Sequence, residues 1–179
     1  MAYLLRKFSL SKWQNNLENN HENYEADAIT GCTRTKGNTL SVWQSATTNF
    51  DDDEVKDLIV ALAISMDEPA TIDVLWLEEN WLAESGLEIE SKLANTKFSR
   101  INDRHKDLVN LDHSKLGIMA HHIVNQAKDT NKRKKFLKSE VIELVATWSM
   151  KEDTFHLEQL KPKWQEAVTE KIKRMNDKK

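Results

Sequence analysis

The sequence predicts an α+β protein: a small mixed sheet with one packed helix in residues 1–94, followed by a three-helix C-terminal part in residues 95–179. Three observations carry that reading. Short β-branched and apolar runs recur through the first half. One strong stripe of helical period interrupts them at 51–66. After residue 94 the strand-like runs give way to helical periodicity. With 179 residues, 4 Gly and 2 Pro, the chain has the length of one domain and little material for a flexible linker. The two parts are therefore read as one compact domain.

Residues 2–10 (AYLLRKFSL) mix apolar and basic side chains without helical period and read as a strand. The Asn/Glu-rich stretch 11–25 reads as an exposed loop. Residues 26–44 hold two strand-like runs, ADAITGCTRT and TLSVWQ, with Lys36-Gly37-Asn38 as the hairpin turn, because Gly and Asn tolerate positive φ. In 51–66 Val55, Leu58, Ile59, Leu62, Ala63 and Met66 fall on one helical face behind Asp51, Asp52 and Asp53, which suit the amide-rich N-terminus. TIDVLWLE at 71–78 reads as a buried strand, 79–85 as a turn and GLEIESKL at 86–93 as a half-buried strand, for about five strands in all.

The C-terminal helices follow from stripes and caps. Asp112 precedes a helix to residue 128 whose stripe is Leu116, Met119, Ala120, Ile123, Val124 and Ala127. A second helix spans 139–151 with Val141, Ile142, Leu144, Val145 and Trp148 inward. Pro162 suits the first turn of a third, which carries Trp164, Val168, Ile172 and Met175.

Charge is divided along the chain. Residues 1–90 carry 6 Lys+Arg against 17 Asp+Glu, and residues 91–179 carry 20 against 12. Such a split implies a partner of complementary charge. The acidic candidates for an interface are Asp51, Asp52, Asp53, Glu78 and Glu79. Trp81 and Trp13 are candidate apolar anchors, both placed in polar turns among 6 Trp. Lys132, Arg133, Lys134, Lys135 and Lys138 form the densest basic cluster, a loop facing an acidic protein surface or the phosphates of DNA.

Other chemistries are less well supported. Asp73 on one strand and Glu90-Ser91-Lys92 on another give a D…ExK layout of the restriction-nuclease kind, in which two carboxylates hold a metal and lysine activates water. The same alternation places Glu90 and Lys92 on a solvated face. His113, His121 and His122 lack the i, i+4 spacing of a helical metal pair and read as surface residues. His105, beside Asp103 and Asp107, is a candidate base or a structural histidine. Cys32, the single cysteine, excludes an intrachain disulfide and a multi-cysteine metal site and reads as a small buried hydrophobe.

RINDRHKDLVNLDHSKLGIMAHHI, with TRTKGNTLSVW and VALAISMDEPATIDVLWL before it, resembles the middle component of ABC-three-component defence systems of the Lamassu kind, over about residues 26–125. The resemblance implies a non-catalytic subunit that joins an SMC-like ATPase to a nuclease effector in bacterial anti-phage or anti-plasmid defence. It carries over no site residue. The expectation is an interaction subunit without cofactor or metal. MAYLLRKFSL lacks a signal-peptide core, and no apolar run reaches membrane-spanning length, so a cytoplasmic protein with no membrane partner is expected.

Overall fold

A computed structural model describes residues 2–33, 37–151 and 154–177. The chain is α+β, as expected. Its contacts group into two compact units: residues 1–48, 73–93 and 104–134, and residues 49–72, 94–103 and 135–179. Both units draw on both halves of the sequence.

The first unit is built on an antiparallel sheet. The strands are β1 (Tyr3–Phe8), β2 (Leu40–Ser45), β3 (Ile72–Glu78), β4 (Glu88–Ser91), β5 (His105–Val109) and β6 (Arg133–Phe136), in the order β4-β5-β2-β1-β3-β6. The pairs β1–β2, β1–β3, β2–β5 and β4–β5 are antiparallel. Alternate residues Leu4 and Phe8, Leu40 and Val42, Leu75 and Leu77, with Leu108, point to one face and form a core with four helices. These are α1 (Leu10–Trp13), α2 (Ala26–Cys32), α4 (Glu79–Glu84) and α5 (His113–Lys128). α5 contributes Met119, Ala120, Ile123, Val124 and Ala127, the stripe read from the sequence. Its Asp112 cap accepts from Lys115 N at 2.8 Å.

Arg6 shares the core face of β1 and is held there by backbone carbonyls, donating to Ser41 O at 2.9 Å and Cys32 O at 3.4 Å. Burial lowers its pKa to about 10. Cys32 is buried as expected, but on α2 and not on a strand.

The second unit holds three helices, α3 (Asp53–Ser65), α6 (Lys138–Ser149) and α7 (Pro162–Asn176), with α6 packed on both others. α3 is capped by Asp52, which accepts from Glu54 N at 2.9 Å. Asp57 on α3 accepts from the Trp148 indole and, at 3.1 and 3.2 Å, from Arg100, whose guanidinium lies over Phe98. The Trp164 indole donates to Met66 O at 3.2 Å and ties α7 to the end of α3.

Several expectations are corrected. Residues 26–32 form a helix, because Ala28 and Cys32, one turn apart, both reach the core. The turn at 79–85 is α4, and the polar stretch 11–25 begins with α1 and continues through 3₁₀ turns. β5 and β6 lie in sequence read as helical or loop, which raises the strands to six. Gly37 and Asn38 have the positive φ expected of them, but the segment before them is α2 and not a strand, so the expected hairpin is not formed; Lys36 lies outside the described residues.

Candidate functional site

The predicted site residues do not converge. Asp73 lies on β3 and Glu90 on β4, with three strands between them. At the usual strand spacing that is about 19 Å, far beyond what one divalent ion bridges. Asp73 accepts from Leu10 N at 3.3 Å, and Lys92 pairs with Asp107 at 3.0 Å. The D…ExK reading of Asp73, Glu90 and Lys92 is therefore overturned by the strand order. Among the described residues no group of three or more His, Cys, Asp or Glu is placed to hold a metal ion.

The charge split has an internal use. Among the described residues, ion pairs join acids before residue 91 to bases after it: Asp53–Lys151, Asp57–Arg100, Asp67–Lys161, Glu68–Lys163, Glu78–Lys132, Glu79–Lys106 and Glu88–Lys115. Each pair lies inside one unit. The acidic candidates are thus engaged at home. Asp52 is a helix cap, Asp53 meets Lys56 and Lys151, Glu78 meets Lys132, and Glu79 meets Lys106 and Gln44. Asp51 is exposed at the start of this segment. The basic loop is also corrected: Lys132 ends a 3₁₀ turn, Arg133, Lys134 and Lys135 lie on β6, and Lys138 opens α6.

The two candidate Trp anchors separate. Trp13 is 0% exposed, packed in the core with Tyr24 edge to face on it at 6.5 Å. It anchors α1, not a partner. Trp81 is half-buried and lines an open, mostly apolar hollow of about 570 Å³ with His21, Ser85, Gly117, Ile118 and His121.

That hollow rests on a built support. Trp81 stacks on His122, ring centroids 4.2 Å apart and planes 11° apart. His122 is 2% exposed, and its Nε2 accepts from Glu78 N at 3.2 Å. An acceptor at Nε2 is an uncharged ring carrying its proton on Nδ1. Burial drives the same result, lowering the pKa to about 4. On the rim, His121 Nε2 accepts from Asn125 at 3.0 Å and its Nδ1 faces the Tyr24 hydroxyl at 3.5 Å. His21 meets it edge to face at 5.9 Å.

Gly117 completes the site. It lies inside a 16-residue helix, where glycine costs roughly 0.5–1 kcal/mol relative to alanine. A Cβ built there would meet nothing within 4 Å. No neighbour in the fold requires the missing side chain, so the gap belongs to the hollow.

Sequence reasoning set His121 and His122 aside as surface residues. His121 is exposed, but His122 and Gln126 are buried. The signal was present: both follow Met119 at i+3 and i+7, so they continue the core stripe on its flank. His105 pairs weakly with Asp107 at 3.7 Å, and Ser41 donates to that same Asp107 at 2.9 Å. A serine bonded to the aspartate instead of the histidine is not activated, so this cluster buttresses the sheet.

Compared with known proteins, the chain matches no family model, no curated protein and no solved structure. No helix is long and apolar enough to cross a membrane among the described residues.

Proposed function

We propose that this chain is an interaction subunit of a multiprotein assembly and that the Trp81 hollow receives an apolar or aromatic side chain of its partner. The observation that carries the reading is Trp81 itself. It is a partly exposed indole, held flat by a buried histidine, at the wall of an apolar hollow. Tryptophans of this kind dominate binding energy at protein interfaces. The lining holds no Asp, Glu, Lys or Arg, which favours an uncharged guest over an ionic one. The gap at Gly117 gives that guest close access to α5.

The resemblance to Lamassu-type middle components supplies the partners to be tried first: an SMC-like ATPase and a nuclease effector, within anti-phage or anti-plasmid defence. The test is co-expression of the tagged chain with its neighbouring genes, followed by affinity purification and mass measurement of the intact complex. A fixed-stoichiometry complex with an ATPase or nuclease, lost in Trp81→Ala while the isolated variant keeps its fold, is the expected result. Recovery of the wild-type chain alone, or a complex indifferent to Trp81→Ala and Gly117→Leu, would overturn it.

A further inference from the structure

β4 ends the sheet order and pairs with β5, so its other edge meets no strand among the described residues. Glu88, Glu90 and Ser91 are exposed, and the chain stays exposed through Lys92 and Leu93. Leu93 is 75% exposed, the highest fraction among the large apolar side chains described. The edge is open and carries an apolar side chain into water.

The ladder to β5 fixes which backbone groups point outward. Lys92 N donates to His105 O at 3.2 Å, and these two residues lie opposite each other, continuing the register of Ser91 opposite Lys106. In an antiparallel pair, opposite residues alternate between exchanging both hydrogen bonds and exchanging none. Glu88, Glu90 and Lys92 therefore direct their N–H and C=O groups to β5. Ile89, Ser91 and Leu93 direct theirs away from it. Side chains alternate in the same way: Glu88, Glu90 and Lys92 fall on one face, and Ile89, Ser91 and Leu93 on the other, where Ile89 packs against the core.

We infer that this edge pairs antiparallel with the same edge of a second copy of the chain, about a two-fold axis at Ser91. The new ladder joins outward residues to outward residues, so its register shifts only in steps of two. With the two Ser91 residues opposite each other, Glu90 faces Lys92 of the second copy and Ile89 faces Leu93 of the second copy, each pair occurring twice by symmetry. The neighbouring registers set Glu90 against Glu90 or Lys92 against Lys92, and like charges directly opposite disfavour both. Charge on an edge strand ordinarily resists pairing. Here the sign alternates, so charge selects one register and one partner.

The groups are available for it. Glu90 has no hydrogen bond or ion pair from its side chain among the described residues. Lys92 holds Asp107 at 3.0 Å, but its side chain is 66% exposed, and an ammonium has three donors, enough for a second carboxylate. Leu93 gains an apolar neighbour in place of water. The paired segment runs only from Ile89 to Leu93, far below the usual size of a stable interface, so the dimer is weak, with a dissociation constant on the order of 100 μM. The inference does not depend on the Trp81 hollow.

The test is sedimentation equilibrium of the full chain from about 10 μM to about 1 mM at low salt, the span in which so small an interface associates, with an NMR dilution series following the Ser91 and Leu93 amides. A monomer–dimer equilibrium with shifts centred on those amides is expected. Ser91→Pro removes an outward N–H and leaves the β5 ladder intact, and Glu90→Lys sets lysine against Lys92; each should weaken the dimer about tenfold or more. Glu90→Lys and Lys92→Glu should each be monomeric alone, yet an equal mixture should form a heterodimer, because opposite charges then face each other at both pairs. That complementation separates a lost contact from a lost fold. A wild-type chain that stays monomeric, including one whose Ser91 and Leu93 amides shift only when a foreign partner is added, would overturn the inference. So would a dimer of equal strength in Ser91→Pro and Glu90→Lys, which would place the contact on another surface.

Discussion

Acidification tests the support under Trp81. At neutral pH the His122 ring is uncharged, accepts from Glu78 N and lies flat against the indole. Burial lowers its pKa from 6.5 to about 4; Glu78 opposes that shift, while Lys132 and His121 add to it. The unfolded chain takes up this proton as pH falls through about 6.5, and the folded chain takes it up only near 4. Between those values the unfolded state binds more protons, so stability falls as pH falls and levels off below about 4. Above 6.5 both states are neutral and the group contributes no slope. The loss amounts to about 3 kcal/mol at the acid end, a large part of the roughly 5–15 kcal/mol that holds a domain folded.

The comparison protein is His122→Phe. It keeps a ring against Trp81 and cannot titrate, but it leaves Glu78 N without its acceptor, at a cost of about 1–3 kcal/mol near pH 7. Carboxylates held low by lysines, Asp67 and Glu68 among them, also destabilise the fold in acid. They are common to both proteins, so the difference isolates His122. Urea denaturation followed by circular dichroism across the acid range should show wild type ahead near neutrality and its lead shrinking or reversing toward about pH 4. Parallel curves for the two proteins would refute the reasoning, because they would mean that His122 protonates alike in both states.

Four further expectations follow from single contacts. Trp13→Ala should cost about 3–5 kcal/mol, as for a large core side chain; a loss under about 1 kcal/mol in chemical denaturation would return it to the surface. Asp57→Ala should cost about 2–4 kcal/mol, because the Trp148 and Arg100 donors lose one shared acceptor, and a normal thermal midpoint would count against that account. Asp112→Ala should cost about 1 kcal/mol through loss of the α5 cap, with Asp112→Asn restoring most of it in the same melts. Gly117→Ala should stabilise the chain by about 0.5–1 kcal/mol, since the new Cβ meets nothing; destabilisation would show that the gap is structural.

Much of the fold is legible in order along the chain. The stripe and cap of α5, the Asp-led start of α3 and the Pro at the first turn of α7 all act within one or two turns, so residue order exposes them. The strands that read poorly are charged. HKDLV in β5 and RKKF in β6 show little apolar alternation, because several of their side chains are satisfied by partners distant in sequence. Asp107 takes Ser41 and Lys92, and Lys106 takes Glu79. α2 was hidden by Ile29 and Thr30, whose β-branching favours a strand until Ala28 and Cys32 pack inward.

The site shows the same division. Residue order alone shows that Trp81 lies in a polar-flanked segment, that α5 has an apolar stripe, and that acids gather before residue 91 and bases after it. It could not say that those acids and bases meet one another, because charge sums carry no pairing information. It takes the folded chain to show that three strands separate Asp73 from Glu90, that Trp13 is sealed in the core, and that His122 and Gln126 widen the buried arc of α5. The physical reason is range. Helix stripes and caps are set by neighbours three or four residues away. Strand order, ion-pair partners and the burial of a polar side chain are set by segments that meet only when the chain has folded.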